Sequence, residues 1–210
     1  DGKPVNATMF IKMNILGSKR GLKKIKRDLV EWYQAGFSAF WLQHILRQQL
    51  RFEGVIFSDD LCMEGASVAG ENITERAVAA LELAREHQLF LHSHSDAEAI
   101  QRQFQQDPQA RILWAHSGFE PPEKVRELLR RHGRLWCDLA FRSEHATAGK
   151  VDAGWRAAFL EFPDRFLVGT DTFTPERWYY VVEHAKWSRQ WLADLPRDVA
   201  ERIAWRNGEA

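Results

Sequence analysis

This chain of 210 residues has few cysteines and a formal net charge of zero. Its two cysteines, Cys62 and Cys137, do not suggest a disulfide framework, so a reducing, cytoplasm-like compartment fits best. Lysine and arginine total 29 and aspartate and glutamate total 29, so no global field attracts nucleic acid or an anionic membrane. The composition therefore predicts neither a nucleic-acid partner nor a membrane partner.

Long apolar runs and phosphate-binding motifs are also missing. No apolar run reaches the roughly 18 residues that a membrane span needs, and the first residues, DGKPVNATMF, lack the layout of a signal peptide. Neither GxGxxG nor GxxxxGK[ST] occurs in the sequence. We therefore expect a cytoplasmic protein without a glycine-rich nucleotide-binding loop.

A repeated alternation of strands and helices is what the sequence does contain. Short apolar runs, most of them uninterrupted, end in polar residues and are followed by helical patterns, as in parallel strands buried on both faces. The candidate strands are residues 8–14, 55–58, 89–92, 112–116, 135–139 and 166–170.

Several helices carry recognisable start signals. Asn72 and Glu75 have the spacing of a capping box, and Pro121-Pro122 precedes a helical run that Gly133 ends. Thr174-Pro175 predicts the start of a long helix reaching about residue 194.

Polar residues follow the candidate strands where each strand ends, as in barrel enzymes, which draw their active sites from many strands. These residues are Asp59, His92, His116, Asp138 and Asp171. We therefore predict a single α/β domain with a (β/α)-barrel-derived parallel sheet of about six strands. Because a full barrel has eight, it would be an incomplete or atypically closed TIM barrel, and exposed sheet edges would favour a homo-oligomer.

One stretch resembles a known enzyme family. FSAFWLQHILRQQLRFEGVIFSDDLCMEGASVAG, residues 37–70, resembles bacterial β-N-acetylglucosaminidases of glycoside hydrolase family 3, and the resemblance continues to about residue 83. It implies that Asp59, the first aspartate of SDD, is the nucleophile of a retaining glycosidase. The family's acid/base histidine lies in a KHFPGHG-like motif, and no such motif occurs in this sequence.

The remainder of the chain, from about residue 81 to 210, resembles metal-dependent hydrolases of the amidohydrolase superfamily. The similar motifs are LFLHSHSD, WAHSGFEPPEKVRELLRRH, LWCDLAFRSEH and FLVGTDTFTPERWYYVVEHAKW. The resemblance implies that His92 is a metal ligand and that His116 binds metal or polarises the substrate. It also implies that Asp171 binds metal and moves a proton of the attacking water.

The implied metal site is incomplete, because the family's HxH ligand pair on the first strand has no counterpart in this sequence. His94 is a further candidate ligand beside His92, His116 and Asp171, with Asp59 or Asp60 as an extra. We expect no cofactor beyond weakly bound zinc. Asp138 either faces the same edge of the sheet or pairs with Arg142.

The two resemblances overlap inside one helix, which leads to the main hypothesis from the sequence. It predicts an artificial, designed chimera of barrel fragments without native catalytic function, produced by recombinant expression, in which Asp171, His116 and Asp59 are catalytic remnants. Residues 1–36 are unassigned. One alternative is an amidohydrolase-type metal-dependent hydrolase of a small carboxylated substrate, and the other is a non-catalytic scaffold that binds a metal or an anion.

Overall fold

The computed structural model describes residues 40–51, 71–86, 88–172 and 175–209. Its contacts divide the chain into two compact units, residues 1–80 and 81–210. The candidate strands at 8–14 and 55–58 lie outside the described residues, as do Asp59, Asp60 and Thr174. Within the described part of the chain, no helix is both long and apolar enough to cross a membrane.

Two helices begin in the described part of the first unit. Phe40–Gln49 form a π-helix. Helix α1, Ile73–Glu86, begins as predicted, because the Glu75 amide donates to Asn72 Oδ1 at 3.1 Å. The carboxylate of Glu75 accepts from the Glu71 amide at 2.7 Å, one residue before the cap, and completes a variant of the expected capping box.

The described strands of the second unit are β1 Phe90–Ser93, β2 Arg111–Trp114, β3 Leu135–Asp138, β4 Ala146–Thr147, β5 Lys150–Val151 and β6 Phe166–Leu167. Four of them form a parallel sheet in the order β1-β2-β3-β6. The other two, β4 and β5, form an antiparallel hairpin that leaves this sheet after β3. This mixed α/β architecture confirms the predicted fold class, with four of the expected strands in a parallel sheet.

Helices connect the strands and cover the sheet. They are α2 Ala97–Gln106, α3 Pro122–Arg131, α4 Ala153–Glu161, α5 Tyr180–Leu192 and α6 Arg197–Glu201, followed by a π-helix at Arg202–Arg206 and a last turn at Asn207–Glu209. Helix α2 starts where Asp96 accepts from the Ala99 amide at 2.8 Å, and it buries Ile100 and Phe104. Helix α3 starts at Pro122, as the sequence predicts.

The core lies between these helices and the sheet. Ile112, Leu135 and Phe166 from three neighbouring strands are fully buried. Val125 and Leu128 of α3 belong to the same cluster, because their spacing places them on one helix face. The uninterrupted apolar runs predict burial on both faces, which β3 approaches and β1 does not, since its Phe90 is 38% exposed.

One buried histidine sits in an aromatic part of the core. His145 is 0% exposed, and the rings of Trp155, Phe159, Trp187 and Trp191 lie 4.8–6.3 Å from its ring, centroid to centroid. Neither ring nitrogen has a hydrogen-bond partner within the described structure. Burial lowers the pKa of His145 to about 4, so this histidine is neutral at pH 7.

Candidate functional site

The carboxyl ends of the parallel strands bring five polar side chains to one edge of the sheet. His92 lies on β1, Asp138 ends β3, and His94, His116 and Asp171 follow β1, β2 and β6. Because neighbouring strands run in the same direction, their carboxyl ends meet at one rim. We call these five residues the rim cluster.

Asp138 is the centre of the rim cluster. Its Oδ1 accepts from the amides of His116 at 2.9 Å and Ala140 at 3.0 Å, and its Oδ2 accepts from His92 Nε2 at 3.0 Å. A carboxylate can only accept, so the proton of this last bond lies on His92 Nε2. Of the two alternatives left open by the sequence, Asp138 faces the rim, and its pairing with Arg142 is wrong.

The imidazole of His116 is held in one orientation. Its Nδ1 donates to the carbonyl of Ala140 at 2.8 Å, which fixes the proton on that nitrogen while the ring is neutral. Its Nε2 therefore carries a lone pair and lies 3.7 Å from Asp171 Oδ2. That separation is longer than a direct hydrogen bond, so Nε2 and Oδ2 do not satisfy each other.

The backbone that carries His116 is left-handed over four consecutive residues. His116, Ser117, Gly118 and Phe119 have φ values of +54°, +48°, +62° and +56°. Such angles are unfavourable for residues other than glycine and persist only where surrounding contacts enforce them. Strand β2 consequently ends at Trp114, so the prediction that it includes His116 is wrong.

Arg142 supplies many of those enforcing contacts. Its buried guanidinium donates to the carbonyls of His116 at 3.0 Å and Glu120 at 2.8 Å, and it also pairs with Glu144. The Ser117 hydroxyl adds a bond to the backbone carbonyl of Asp138 at 2.9 Å. The turn therefore has its polar groups satisfied at both ends, and His116 is presented on a rigid support.

The rim cluster does not fit the zinc site implied by the amidohydrolase resemblance. Zinc requires at least three protein donors about 2.0–2.3 Å from the ion. Among the described residues, no group of three histidine, cysteine, aspartate or glutamate side chains converges to that extent. His92 Nε2 bonds to Asp138, and His116 Nε2 and Asp171 Oδ2 lie 3.7 Å apart, which makes two groups rather than three.

The structure thus assembles every predicted site residue that it describes. His92, His94, His116 and Asp171 meet at the rim, and the rings of His94 and His116 lie 4.9 Å apart. Their roles in binding or catalysis stay predictions. Cys137 lies beside them on β3 but is fully buried, and burial raises the pKa of its thiol, so it is not a nucleophile at neutral pH.

Sequence reasoning missed two aromatic residues at the rim. Phe119 and Phe141 lie 5.0 Å and 6.1 Å from the His116 ring, centroid to centroid, and both have left-handed backbones. The one local signal was Gly118, a residue suited to a left-handed turn, directly before Phe119. Nothing comparable in the sequence marks Phe141.

Comparison with known proteins finds similarity to one family over part of the chain. The model of the glycosyl hydrolase family 3 N terminal domain matches residues 24–106. The chain is 44% identical over 95 residues to a beta-hexosaminidase of Methylobacillus flagellatus, covering 43% of this chain and 27% of that protein. It is 68% identical over 47 residues to a beta-hexosaminidase of Idiomarina loihiensis, covering 22% of this chain and 14% of that protein.

A longer match is 38% identical over 120 residues to a beta-hexosaminidase of Thioalkalivibrio sulfidiphilus, covering 56% of this chain and 31% of that protein. The chain therefore matches less than a third of the length of these relatives. The glycoside hydrolase resemblance stated from residues 37–83 is confirmed, and the match extends beyond it in both directions.

These matches correct the main hypothesis from the sequence. An artificial chimera without native function is wrong, because the family match runs without a break through the helix where the join was placed and continues to residue 106. It also includes residues 24–36, which the sequence left unassigned. Both alternatives, an amidohydrolase-type metal hydrolase and a non-catalytic scaffold, are wrong for the same reason, since the matched relatives are natural glycoside hydrolases.

Proposed function

We propose that this chain hydrolyses β-linked hexosaminides, with Asp59 as the nucleophile. The observation that carries the proposal is the position of Ser58-Asp59-Asp60 inside the matched segment, residues 24–106. The relatives that the chain is similar to are beta-hexosaminidases. Because the chain spans only part of their length, activity and substrate are inferences from the shared segment.

The chemistry is a double displacement. The Asp59 carboxylate forms a bond to the anomeric carbon as the glycosidic bond breaks, and the leaving oxygen departs with a proton. Water then attacks the same carbon and gives up a proton to the solvent as the bond to Asp59 breaks, which restores the carboxylate and releases the hexosamine with its original anomeric configuration. The step therefore requires a proton for the leaving group as well as a nucleophile.

The test substrate should be one whose leaving group does not need a proton donor. The sequence has no KHFPGHG-like motif to supply the histidine that the family resemblance implies. An aryl glycoside is suitable because a nitrophenolate leaves without prior protonation, so the nucleophile can be tested independently of the acid. We therefore expect 4-nitrophenyl N-acetyl-β-glucosaminide to be cleaved faster than an alkyl glycoside.

The decisive experiment compares neighbouring carboxylates. Asp59→Asn should lower the rate of nitrophenol release by more than about 10³-fold because the attacking group is lost. Asp60→Asn is the matched control and should retain activity. In Asp59→Gly, added azide should restore turnover and yield a glycosyl azide of inverted configuration. A wild-type protein without turnover, or an Asp59→Asn variant with the wild-type rate, would overturn the proposal.

A further inference from the structure

Aromatic and cationic side chains continue outward from the rim cluster in an unbroken row. The Phe119 ring lies 5.0 Å from His116 and 6.4 Å from the Phe141 ring. The guanidinium carbon of Arg177 lies 4.4 Å above Phe141 and 5.7 Å from the ring centre of Tyr180. We call these five residues the aromatic strip.

The two phenylalanines of the strip are held at the surface. Phe119 is 54% exposed and Phe141 is 45% exposed, although both are large apolar residues. Their φ values of +56° and +60° are strained for a bulky side chain. Residues with strained backbone conformations cluster at functional sites. Two neighbouring phenylalanines with such backbones and exposed rings therefore indicate a binding surface.

The two residues between Arg177 and Tyr180 in the chain are exposed aromatic residues. Trp178 is 65% exposed and Tyr179 is 78% exposed. Phe119 also borders a shallow cleft of about 560 Å³, together with Pro121, Pro122 and Trp155. Exposed aromatic residues gathered in this way mark an interaction site more often than scattered ones do.

The hydrogen-bond acceptors beside the aromatic strip indicate which class of ligand can bind there. His116 Nε2 can accept a hydrogen bond, and Asp171 Oδ2, 3.7 Å away, can accept another. A ligand of matching chemistry needs flat apolar faces for the phenyl rings and hydroxyl donors for the imidazole and the carboxylate. Pyranose sugars have both, since each ring has a face of C–H groups and a periphery of hydroxyl groups.

We propose that the aromatic strip binds an oligosaccharide of β-linked N-acetylhexosamine, with sugar rings stacked on Phe119 and Phe141 and hydroxyl groups bonded to His116 and Asp171. The choice of this sugar rests on the proposed function, whereas the site itself rests on the geometry of the strip.

The test measures binding of N,N′,N″-triacetylchitotriose to the full chain by isothermal titration calorimetry. Phe119→Ala and Phe141→Ala should each weaken binding by about 2- to 10-fold, the range typical of one aromatic contact. Phe119→Tyr should retain the wild-type affinity because it keeps the ring. Leu160→Ala, at a residue of α4 that is 45% exposed and outside the strip, is the matched control and should bind normally.

The outcomes separate this inference from the proposed function. Asp59→Asn should bind chitotriose with the wild-type affinity because the strip does not include Asp59. Binding that requires Phe119 and Phe141, in a protein without hydrolytic activity, would support the strip and overturn the nucleophile. Hydrolysis that depends on Asp59, together with unchanged binding in folded Phe119→Ala and Phe141→Ala variants, would overturn the strip. An absence of chitotriose binding at millimolar concentration would also overturn it.

Discussion

His116 and His145 are both buried histidines of the second unit, and their surroundings differ in almost every respect. The Nδ1 of His116 bonds to Ala140, its amide bonds to Asp138, and its carbonyl bonds to Arg142. His145 is surrounded by aromatic rings, and neither of its ring nitrogens has a partner within the described structure. The first is positioned by polar contacts on a strained backbone, whereas the second is a neutral space-filling ring.

This contrast shows how the two regions contribute to the protein. Hydrogen bonds at the rim are directional, so they fix the orientation of groups that could contact a ligand. The aromatic cluster contributes buried apolar area, which stabilises the fold without specifying a ring orientation for His145. A substitution that disturbs the rim should therefore affect geometry and stability together, and one in the cluster should affect stability and its pH dependence.

The largest effect is expected from Gly118→Ala in the left-handed turn. A Cβ at this position would lie 2.3 Å from Cζ2 of Trp114, whose indole is fully buried and donates to the Ser95 carbonyl at 2.7 Å. The φ of +62° adds backbone strain for alanine. We expect the free energy of unfolding to fall by about 3–4 kcal/mol, measured by urea denaturation.

Gly133→Ala is the control for this substitution. A Cβ at Gly133 would meet no atom within 4 Å. We expect a change within about 0.5 kcal/mol, as for other surface substitutions. Equal effects of the two substitutions would show that the turn at 115–119 can move freely, and the picture of a rigid rim would then be wrong.

The second-largest effect is expected in the pH dependence of stability, to which His145 contributes. Its pKa is about 4 in the folded protein, against 6.5 for the ordinary side chain, because burial disfavours the charged ring. The unfolded chain therefore binds a proton more readily, and stability that is complete above pH 6.5 is lost as the pH falls towards 4. Between pH 7.5 and pH 4, His145 should account for a loss of about 3 kcal/mol.

His145→Leu should remove this component of the pH dependence. Burial also lowers the pKa values of His132 and His184, but both remain in the variant, so the difference between the two stability curves isolates His145. The Glu144 and Arg142 charges that act on His145 are unchanged as well. Parallel curves for the wild type and the variant between pH 7.5 and 4 would show that His145 is not held neutral.

Much of the fold could be predicted from the sequence because its signals are local. Uninterrupted apolar runs predict β1, β2, β3 and β6, and the Pro122 start of α3 follows from the conformational preference of proline. The hairpin β4-β5 was missed because each strand has only two residues, too few for a periodic pattern.

The hydrogen bonds of the rim cluster could not be predicted from local sequence signals. The sequence places polar residues at the ends of the strands, but the bond between Asp138 and His92 depends on the register of strands that are far apart in the chain. The left-handed backbone of His116 depends on the same carboxylate. Such contacts come from tertiary structure, so the composition of the rim was predictable and its hydrogen bonding was not.

The smallest effect is expected from Asp138→Asn. The amide oxygen can still accept from the His116 and Ala140 amides, which bond to Asp138 Oδ1 at 2.9 and 3.0 Å, so the turn keeps its anchor. The bond from His92 Nε2 to Oδ2 is lost in its charge-assisted form. The side-chain NH2 group of asparagine in the place of Oδ2 is a donor, so His92 Nε2 would have to accept and the ring would adopt its other tautomer.

We expect Asp138→Asn to lower the free energy of unfolding by about 1–2 kcal/mol in urea denaturation. Asp152→Asn is the matched control, because Asp152 caps α4 by accepting from the Gly154 amide at 2.9 Å and asparagine caps helices equally well. The free energy of unfolding of the Asp152→Asn variant should change by less than about 0.5 kcal/mol. If the two variants were equally stable, the His92–Asp138 bond would contribute little, and Asp138 would act on the rim through the two backbone amides alone.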